Sequence, residues 1–281
     1  MMQDSKKKRD AILRQNRQQQ RTRRLFDHEA RMSEELYEMK QSHSNSQVTK
    51  LIEQRQNGIT SSWAQQRHDA LYHKIINLQS FVQEQSRKRV IERYGPGPHH
   101  MRFDVLTGQN ARTSGTFVVE LAPIDLVPYS VGVFLDMTAH GLWDNTVFYH
   151  HSSQHHVIAA APVNFGTFDP KSHHFEALGF NRLEFPDYSN SYPHSLFTLG
   201  FSGNGPNFYI NTIDNSDHHG PGGQVHHEIA ADADPCFGKI ISGHQALKRM
   251  MPDRSVSLNP NTWEDYDLTR IVSVRLISMD A

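Results

Sequence analysis

The apolar residues of the first 93 positions recur at the three-, four- and seven-residue spacing of one helical face. They fall into two groups: Leu25, Met32, Leu36 and Met39 and, further along, Leu71, Ile75, Leu78 and Val82. Gln, Arg, Glu and Lys, which have good helix propensity, fill most of the positions between them. The pattern predicts two long helices, roughly 8–41 and 60–93, with a weaker helix near 47–56.

These helices need a surface that covers their apolar stripes, because an isolated amphipathic helix is only marginally stable in water. The stripes can be covered by each other, by a second copy of the chain or by another protein. We therefore predict a coiled-coil-like segment that contacts a partner or forms a homo-oligomer through residues 8–93.

A different pattern follows a short segment rich in Gly and Pro, residues 94–100, which we interpret as a linker. Beyond it, short runs of β-branched and aromatic residues predict strands. The clearest runs are 103–105, 116–121, 208–212 and 270–277. Helical spacing returns in two patches, near 131–138 after Pro128 and near 244–251.

Many short strands with only two helices favour a closed β-barrel, which leaves no exposed sheet edge. The predicted fold is an N-terminal α-helical, coiled-coil-like segment plus a C-terminal mainly-β closed barrel with two capping helices. The predicted domains are a basic amphipathic arm at 1–93, the linker at 94–100 and the barrel at 101–281.

Positive charge is concentrated at the start of the chain. The whole sequence has a net charge of −1, whereas residues 1–24 hold nine Lys or Arg residues and two Asp. Such a segment can contact nucleic acid, anionic lipid or an acidic protein face. No aromatic residue precedes Phe26, which argues against base stacking. We interpret it as a solvated arm or a localisation signal and expect no nucleic-acid partner.

The composition bears on the compartment as well. The single cysteine, Cys236, excludes a disulfide within the chain, and no apolar run is long enough to cross a bilayer. No apolar stretch follows the basic start, as it would in a secretory signal. The expectation is a cytoplasmic or nuclear protein, and an endomembrane lumen stays open if the chain is a fragment.

Six short segments of the second region, in this order, resemble the cyclophilin family of peptidyl-prolyl cis-trans isomerases. They are 116–121 with Val127-Pro128, then 146–150, 185–187, 195–200, 205–212 and 236–243. The fifth, Gly-Pro-Asn-Phe-Tyr-Ile-Asn-Thr, is similar to the family's G-S-Q-F-F-I-x-T. The resemblance covers the chain from about Met101 to its end. It implies an eight-stranded antiparallel barrel capped by two helices and a proline-containing client.

The same resemblance implies a site in which an arginine faces the prolyl nitrogen. Rotation about an X–Pro bond has a barrier of about 18–20 kcal/mol because the nitrogen lone pair is delocalised, and a charged donor localises it. Here His150 aligns with that arginine, and Ala159 aligns with the family's glutamine. The family's pocket histidine falls near Asp234. The resemblance places the candidate peptide-binding residues at Phe148, Leu199, Phe208 and Tyr209.

Histidine is shorter than arginine and mostly neutral at neutral pH. We therefore predict a divergent cyclophilin-like protein that binds peptide with weak or no isomerase activity and uses no cofactor. The alternative is an active isomerase with a non-standard site, built from His150 with Tyr209. The aromatic candidates can also be interpreted as barrel core.

A further alternative is a histidine-rich metal-binding protein. Twelve of the nineteen histidines stand in six adjacent pairs, and imidazole is a common ligand for Zn, Cu and Ni. The candidate ligands are His218, His219, His226, His227 and Glu228, in a Gly-rich stretch. Their spacing matches no established metal motif, and neighbouring residues on a strand point to opposite faces. We therefore interpret the pairs as exposed loop histidines and predict no metal site.

Overall fold

The computed structural model of the chain describes residues 62–107, 112–151, 156–167, 169–183, 186–203, 205–224, 232–251 and 268–278. The predicted helices near 8–41 and 47–56 lie outside these residues. The chain divides between Arg89 and Val90 into two compact units.

One long helix, α1 (Ser62–Tyr94), precedes the second region. The prediction of a helix at 60–93 is confirmed. The helix ends where Gly95 takes a positive φ of 87°, a conformation that glycine adopts without strain, and its amide donates to the carbonyl oxygen of Ile91 across 3.1 Å. No helix in the described part of the chain is long and apolar enough to cross a membrane.

Eight antiparallel strands close into a barrel, as the sequence predicted. They are β1 (His100–Thr107), β2 (Thr113–Leu121), β3 (Thr146–His151), β4 (Val157–Ala161), β5 (Thr198–Phe201), β6 (Phe208–Asn211), β7 (Cys236–Ser242) and β8 (Thr269–Ile277). Their order around the barrel is β1-β2-β7-β5-β6-β4-β3-β8, and β8 pairs with β1 to complete the closure.

Two helices stand where helical spacing predicted them, α2 (Pro128–Ala139) and, later in the chain, α5 (His244–Met250). Helix α2 packs against β7 and β8, whereas α5 packs against β1 and β2. Two shorter helices, α3 (Ser172–Ala177) and α4 (Ser216–His219), were not predicted, because four to six residues give too little periodicity to recognise.

Aromatic rings fill the barrel interior. The buried phenylalanines include Phe103, Phe117, Phe134, Phe148, Phe208 and Phe237. Phe103 stacks on Phe117 with 4.7 Å between ring centroids, and Phe208 meets the edge of Trp143 at 4.6 Å. Burying one such side chain contributes about 1.5–3 kcal/mol, so this cluster is a main source of stability for the barrel.

The segment before β5 is attached to α2 through Asp187. Its carboxyl oxygens accept hydrogen bonds from the amides of Tyr129 (2.9 Å) and Ser130 (3.1 Å) and from the Ser130 hydroxyl. These amides belong to the first turn of α2, which has no partners for them within the helix. Burial raises the pKa of Asp187 to about 7, although the three donors act in the opposite direction.

Candidate functional site

Strand register separates the inner and outer faces of the barrel. On β3, β4, β6 and β5, one row of paired residues is buried in the interior: Phe148, Ala160, Phe208 and Phe201. Because side chains alternate along a strand, the neighbouring row points outward. That outward row is Tyr149, Ala159, Tyr209 and Gly200.

A cleft of about 290 Å³ lies over this outward row. Its lining residues are Tyr149, Val157, Ala159, Ser202, Asn207, Phe208, Tyr209, His219, Gln224 and Asp234. Strands β3, β4 and β6 supply the apolar part. Helix α4 and the loops after β5 and α4 supply most of the polar groups.

Tyr209 forms the inner wall of the cleft and is only 3% exposed. Its strand partner is Gly200 on β5. A Cβ atom at Gly200 would lie 2.7 Å from the Tyr209 hydroxyl oxygen and 2.6 Å from Cε1 of His194, so only glycine leaves room for these two side chains. Burial, followed by the nearby charge of Asp234, raises the pKa of Tyr209 well above its usual value. The hydroxyl therefore keeps its proton and acts as a donor.

The Asp234 carboxylate joins the polar wall together. Its Oδ2 atom accepts a hydrogen bond from the Tyr209 hydroxyl (3.0 Å) and another from Nδ1 of His219 (2.8 Å). Its Oδ1 atom accepts from the amide of Gly203 (3.2 Å). Asp234 is almost fully buried, and these donors replace the water that it loses. Asp234, Tyr209, His219 and the main chain of Gly203 therefore form one connected hydrogen-bond cluster.

His194 lies beneath this cluster and is fully buried. Its Nε2–H group donates to the main-chain oxygen of Asp234 (2.8 Å), while Nδ1 faces the Asn211 amide (3.4 Å) and the Tyr209 hydroxyl (3.5 Å). Burial lowers the pKa of His194 to about 4, against the opposing effect of the bond to Asp234. The imidazole is therefore neutral at neutral pH and serves as a structural support.

Helix α4 is tied to the same network through Asn215. The Asn215 side chain donates to Oδ1 of Asn211 (2.8 Å), and its main-chain amide donates to the carbonyl oxygen of His194 (2.8 Å). The amide of His219 in turn donates to the carbonyl oxygen of Asn215 (2.9 Å). These bonds fix the position from which His219 reaches the cleft.

The polar lining of the cleft includes an acidic side chain. None of the described residues that line the cleft is Lys or Arg, and Asp234 contributes a carboxylate. A carboxylate accepts hydrogen bonds and cannot donate one to a prolyl nitrogen. Asn207, Gln224 and Ser202 provide neutral donors and acceptors, so the cleft is suited to hydrogen bonding with polar groups of a ligand.

Only some of the candidate peptide-binding residues that the resemblance implies line the cleft. All four are buried; Phe208 and Tyr209 are among the residues that line the cleft, and Phe148 and Leu199 are not. The main chain of His150 pairs with Ile158 in the β3–β4 ladder, and its side chain lies outside the described part. Their roles in binding or catalysis stay predictions.

Several residues of the cleft and of the polar cluster beneath it have no recognisable signal in the sequence. Nothing near Pro193 and Ser195 marks His194 as buried. Only the β3–β4 register distinguishes Tyr149, which points outward, from Phe148. The resemblance places the family's pocket histidine near Asp234, and nothing in the sequence marks Gln224.

The predicted metal candidates are only partly described. His218 is exposed on α4, and its neighbour His219 is buried against Asp234. His226, His227 and Glu228 lie outside the described residues. Within the described ranges, no three His, Cys, Asp or Glu side chains come together in a group that could hold a metal ion.

An eight-stranded closed antiparallel barrel is the architecture that the sequence resemblance implied. Residues 103–275 match the family described as cyclophilin type peptidyl-prolyl cis-trans isomerase/CLD. This match covers more than half of the chain, and the chain belongs to that family. A comparison with curated proteins gave no match.

Proposed function

We propose that the barrel binds an extended peptide segment of a client protein in the cleft and has weak or no isomerase activity. The observation that carries this proposal is the charge of the cleft. The described lining has no cationic side chain, and its charged member, Asp234, is an acceptor whose two oxygens already have donors.

Isomerisation requires a donor directed at the prolyl nitrogen, because localising its lone pair lowers the barrier to rotation. The Tyr209 hydroxyl is the strongest neutral donor near the inner wall, but it already donates to Asp234. Redirecting it would leave a buried carboxylate short of a donor, at a cost of about 1–3 kcal/mol or more. The geometry thus supports binding more than catalysis.

Peptide binding is supported by the composition of the cleft. Tyr149 and Ala159, which are both partly exposed, offer an apolar surface, and Asn207 and Gln224 offer amide groups that match the donors and acceptors of a peptide main chain. Small-molecule and peptide sites commonly combine apolar surface with a few polar groups in this way. Cyclophilins bind proline-containing clients, which is the partner class that family membership suggests.

Filling the cleft tests the binding proposal. Ala159 is half-buried in the cleft lining, where it is paired with Tyr149 and Tyr209, so Ala159→Phe adds a ring there without removing a hydrogen bond. We expect this variant to bind a short extended peptide at least about tenfold more weakly than the wild type in an NMR titration of the full chain, a loss of about 1.4 kcal/mol.

The matched control is Ala177→Phe, the same substitution at an exposed position in α3. It is expected to bind the peptide within about twofold of the wild-type affinity. Equal affinity of Ala159→Phe and Ala177→Phe would place the bound peptide elsewhere and overturn the proposal.

The activity is tested by NMR exchange between the cis and trans forms of an Ala-Pro peptide, without a coupled protease. We expect exchange close to the uncatalysed rate, on the scale of tens to hundreds of seconds. The competing hypothesis is an isomerase that uses His150 with Tyr209. Exchange as fast as that of an ordinary cyclophilin, and abolished by His150→Ala, would establish it and contradict weak activity.

A further inference from the structure

The imidazole of His219 lies against the Tyr209 ring, with 4.6 Å between ring centroids and an angle of 35° between planes. This is the separation of an offset ring stack. The Tyr209 ring is also bounded by Gly200 on β5 and by His194, whose ring centroid is 5.9 Å away. The ring therefore has His219 on the side of the cleft and the barrel wall beneath it.

Groove-binding prolines are commonly held by packing against aromatic side chains. A prolyl ring packed on Tyr209 would have to occupy the space that the His219 ring already fills. The small exposed fraction of Tyr209, 3%, agrees with this, because it leaves almost none of the residue accessible to a ligand. The aromatic surface is present in the cleft but is covered by a side chain of the same molecule.

His219 is fixed in this position by contacts at both its ring and its main chain. Nδ1 donates to Oδ2 of Asp234 (2.8 Å), and the carbonyl oxygen of His219 accepts from the Asp234 amide (3.0 Å). The Nε2 atom of Gln224 donates to the main-chain oxygen of His218 (2.8 Å), which holds the main chain beside His219. A ligand that displaces the ring would have to break the hydrogen bond between its Nδ1 atom and Asp234.

We propose that His219 is the specificity-determining residue of the cleft, and that by covering Tyr209 it makes the cleft select extended peptides without requiring a proline. Asp234 is the positioning residue that holds His219 in place. This inference rests on the proposed function, because it assumes that peptide binds in the cleft. The ligands are then extended peptides that the cleft recognises through their main-chain and small side-chain groups.

Two peptides that differ only in the central residue pair, Ala-Ala or Ala-Pro, test the inference on the wild-type full chain. We expect the Ala-Ala peptide to bind at least as tightly as the Ala-Pro peptide in an NMR titration. A preference of about tenfold for Ala-Pro would overturn the inference, because it would mean that an aromatic surface is open to the prolyl ring. This measurement needs no variant and so does not depend on the folding of one.

His219→Ala should uncover the Tyr209 ring. We expect its affinity for the Ala-Pro peptide to rise at least about fivefold above wild type, with little change for Ala-Ala. The matched control is His218→Ala, which removes the exposed neighbouring imidazole on the same helix and is expected to change neither affinity. Unchanged Ala-Pro affinity in a folded His219→Ala variant would refute the role of His219.

The failure of this inference can be told apart from the failure of the proposed function. Suppose that Ala159→Phe loses binding of both peptides and that His219→Ala shows no gain in affinity for the Ala-Pro peptide. The cleft would then remain the peptide site, and only the role of His219 would be refuted. Unchanged binding of both peptides in Ala159→Phe would remove the proposed function and this inference with it.

Discussion

The Tyr209 hydroxyl donates a hydrogen bond to Oδ2 of Asp234 across 3.0 Å, although the two residues are 25 positions apart in the chain. The bond connects strand β6 with the residues just before β7 and crosses the inner wall of the cleft. Because both groups are buried, neither can exchange its partner for water without a conformational change. The geometry of the cleft therefore depends on this pair.

Removing the Tyr209 hydroxyl is expected to destabilise the barrel. Tyr209→Phe keeps the ring and takes one donor from the Asp234 carboxylate. Hydrogen bonds to charged groups contribute about 1.5–3 kcal/mol, so we expect a loss of that size in the free energy of unfolding. Urea-induced unfolding followed by circular dichroism measures it.

Tyr192→Phe is the matched control for that measurement. Tyr192 is partly buried, and no hydrogen bond of its hydroxyl is found among the described residues. We expect its free energy of unfolding to stay within about 0.5 kcal/mol of wild type. Similar losses in the two variants would mean that the bond to Asp234 contributes nothing specific.

Acid is expected to destabilise the barrel through His194. Burial lowers the pKa of His194 to about 4, below the value of 6.5 for an unfolded histidine. The folded state therefore disfavours the proton. This contribution to stability is fully present above pH 6.5 and is lost as the pH falls through 4. A difference of this size in pKa corresponds to about 3–4 kcal/mol at most.

The variant His194→Gln isolates this effect, because glutamine does not titrate and can still hydrogen bond to the Asp234 carbonyl oxygen. The free energy of unfolding of both proteins is measured by urea titration from pH 3 to pH 8. We expect the advantage of the wild type over the variant to shrink as the pH falls from about 6.5 to 4. A difference that stays constant over this range would contradict the assignment.

The barrel could be predicted from the sequence because the patterns that indicate its strands and helices are local. Runs of β-branched and aromatic residues indicated β8 near 270–277, and helical spacing after Pro128 indicated α2. The cleft depends on long-range pairing instead. Whether Phe148 or Tyr149 points outward is decided by the register of β3 on β4, and a shift of one residue would exchange the two faces.

The polar cluster could not have been predicted for the same reason. His194 and Asp234 are 40 residues apart, and the connecting chain passes through β5, β6 and α4 before they meet. No periodicity marks a buried histidine or a buried aspartate. Family resemblance located the position of Asp234, but it gave no indication that Tyr209 and His219 share one of its oxygens.

Asp187 is expected to be essential for the start of α2. Asp187→Ala removes the acceptor of two main-chain amides, those of Tyr129 and Ser130, and leaves them buried without it. Loss of a helix cap costs about 0.5–2 kcal/mol. Because the two donors left without an acceptor are buried, we expect the free energy of unfolding to fall by at least about 2 kcal/mol. Thermal and urea unfolding of the variant measure the loss.

The matched control for Asp187→Ala is Asp214→Ala. Asp214 also accepts from the amide (3.0 Å) and hydroxyl (2.6 Å) of a serine, Ser216, but it is exposed, so water can replace it. We expect a loss below about 1 kcal/mol. Equal losses at the two positions would show that burial adds nothing to the cap of α2.

Arg93 is expected to stabilise the barrel through Asp136 of α2. Its Nη1 atom lies 2.6 Å from Oδ1 of Asp136, with side-chain exposures of 30% and 1%. In Arg93→Ala the buried carboxylate keeps the Tyr94 hydroxyl as a donor (2.5 Å). Loss of the Arg93–Asp136 ion pair is expected to cost about 3 kcal/mol, the lower end of the range for buried pairs. Arg102→Ala is the control, because its pair with Asp104 is exposed and contributes at most about 1 kcal/mol. Urea unfolding with equal losses in the two variants would refute this prediction.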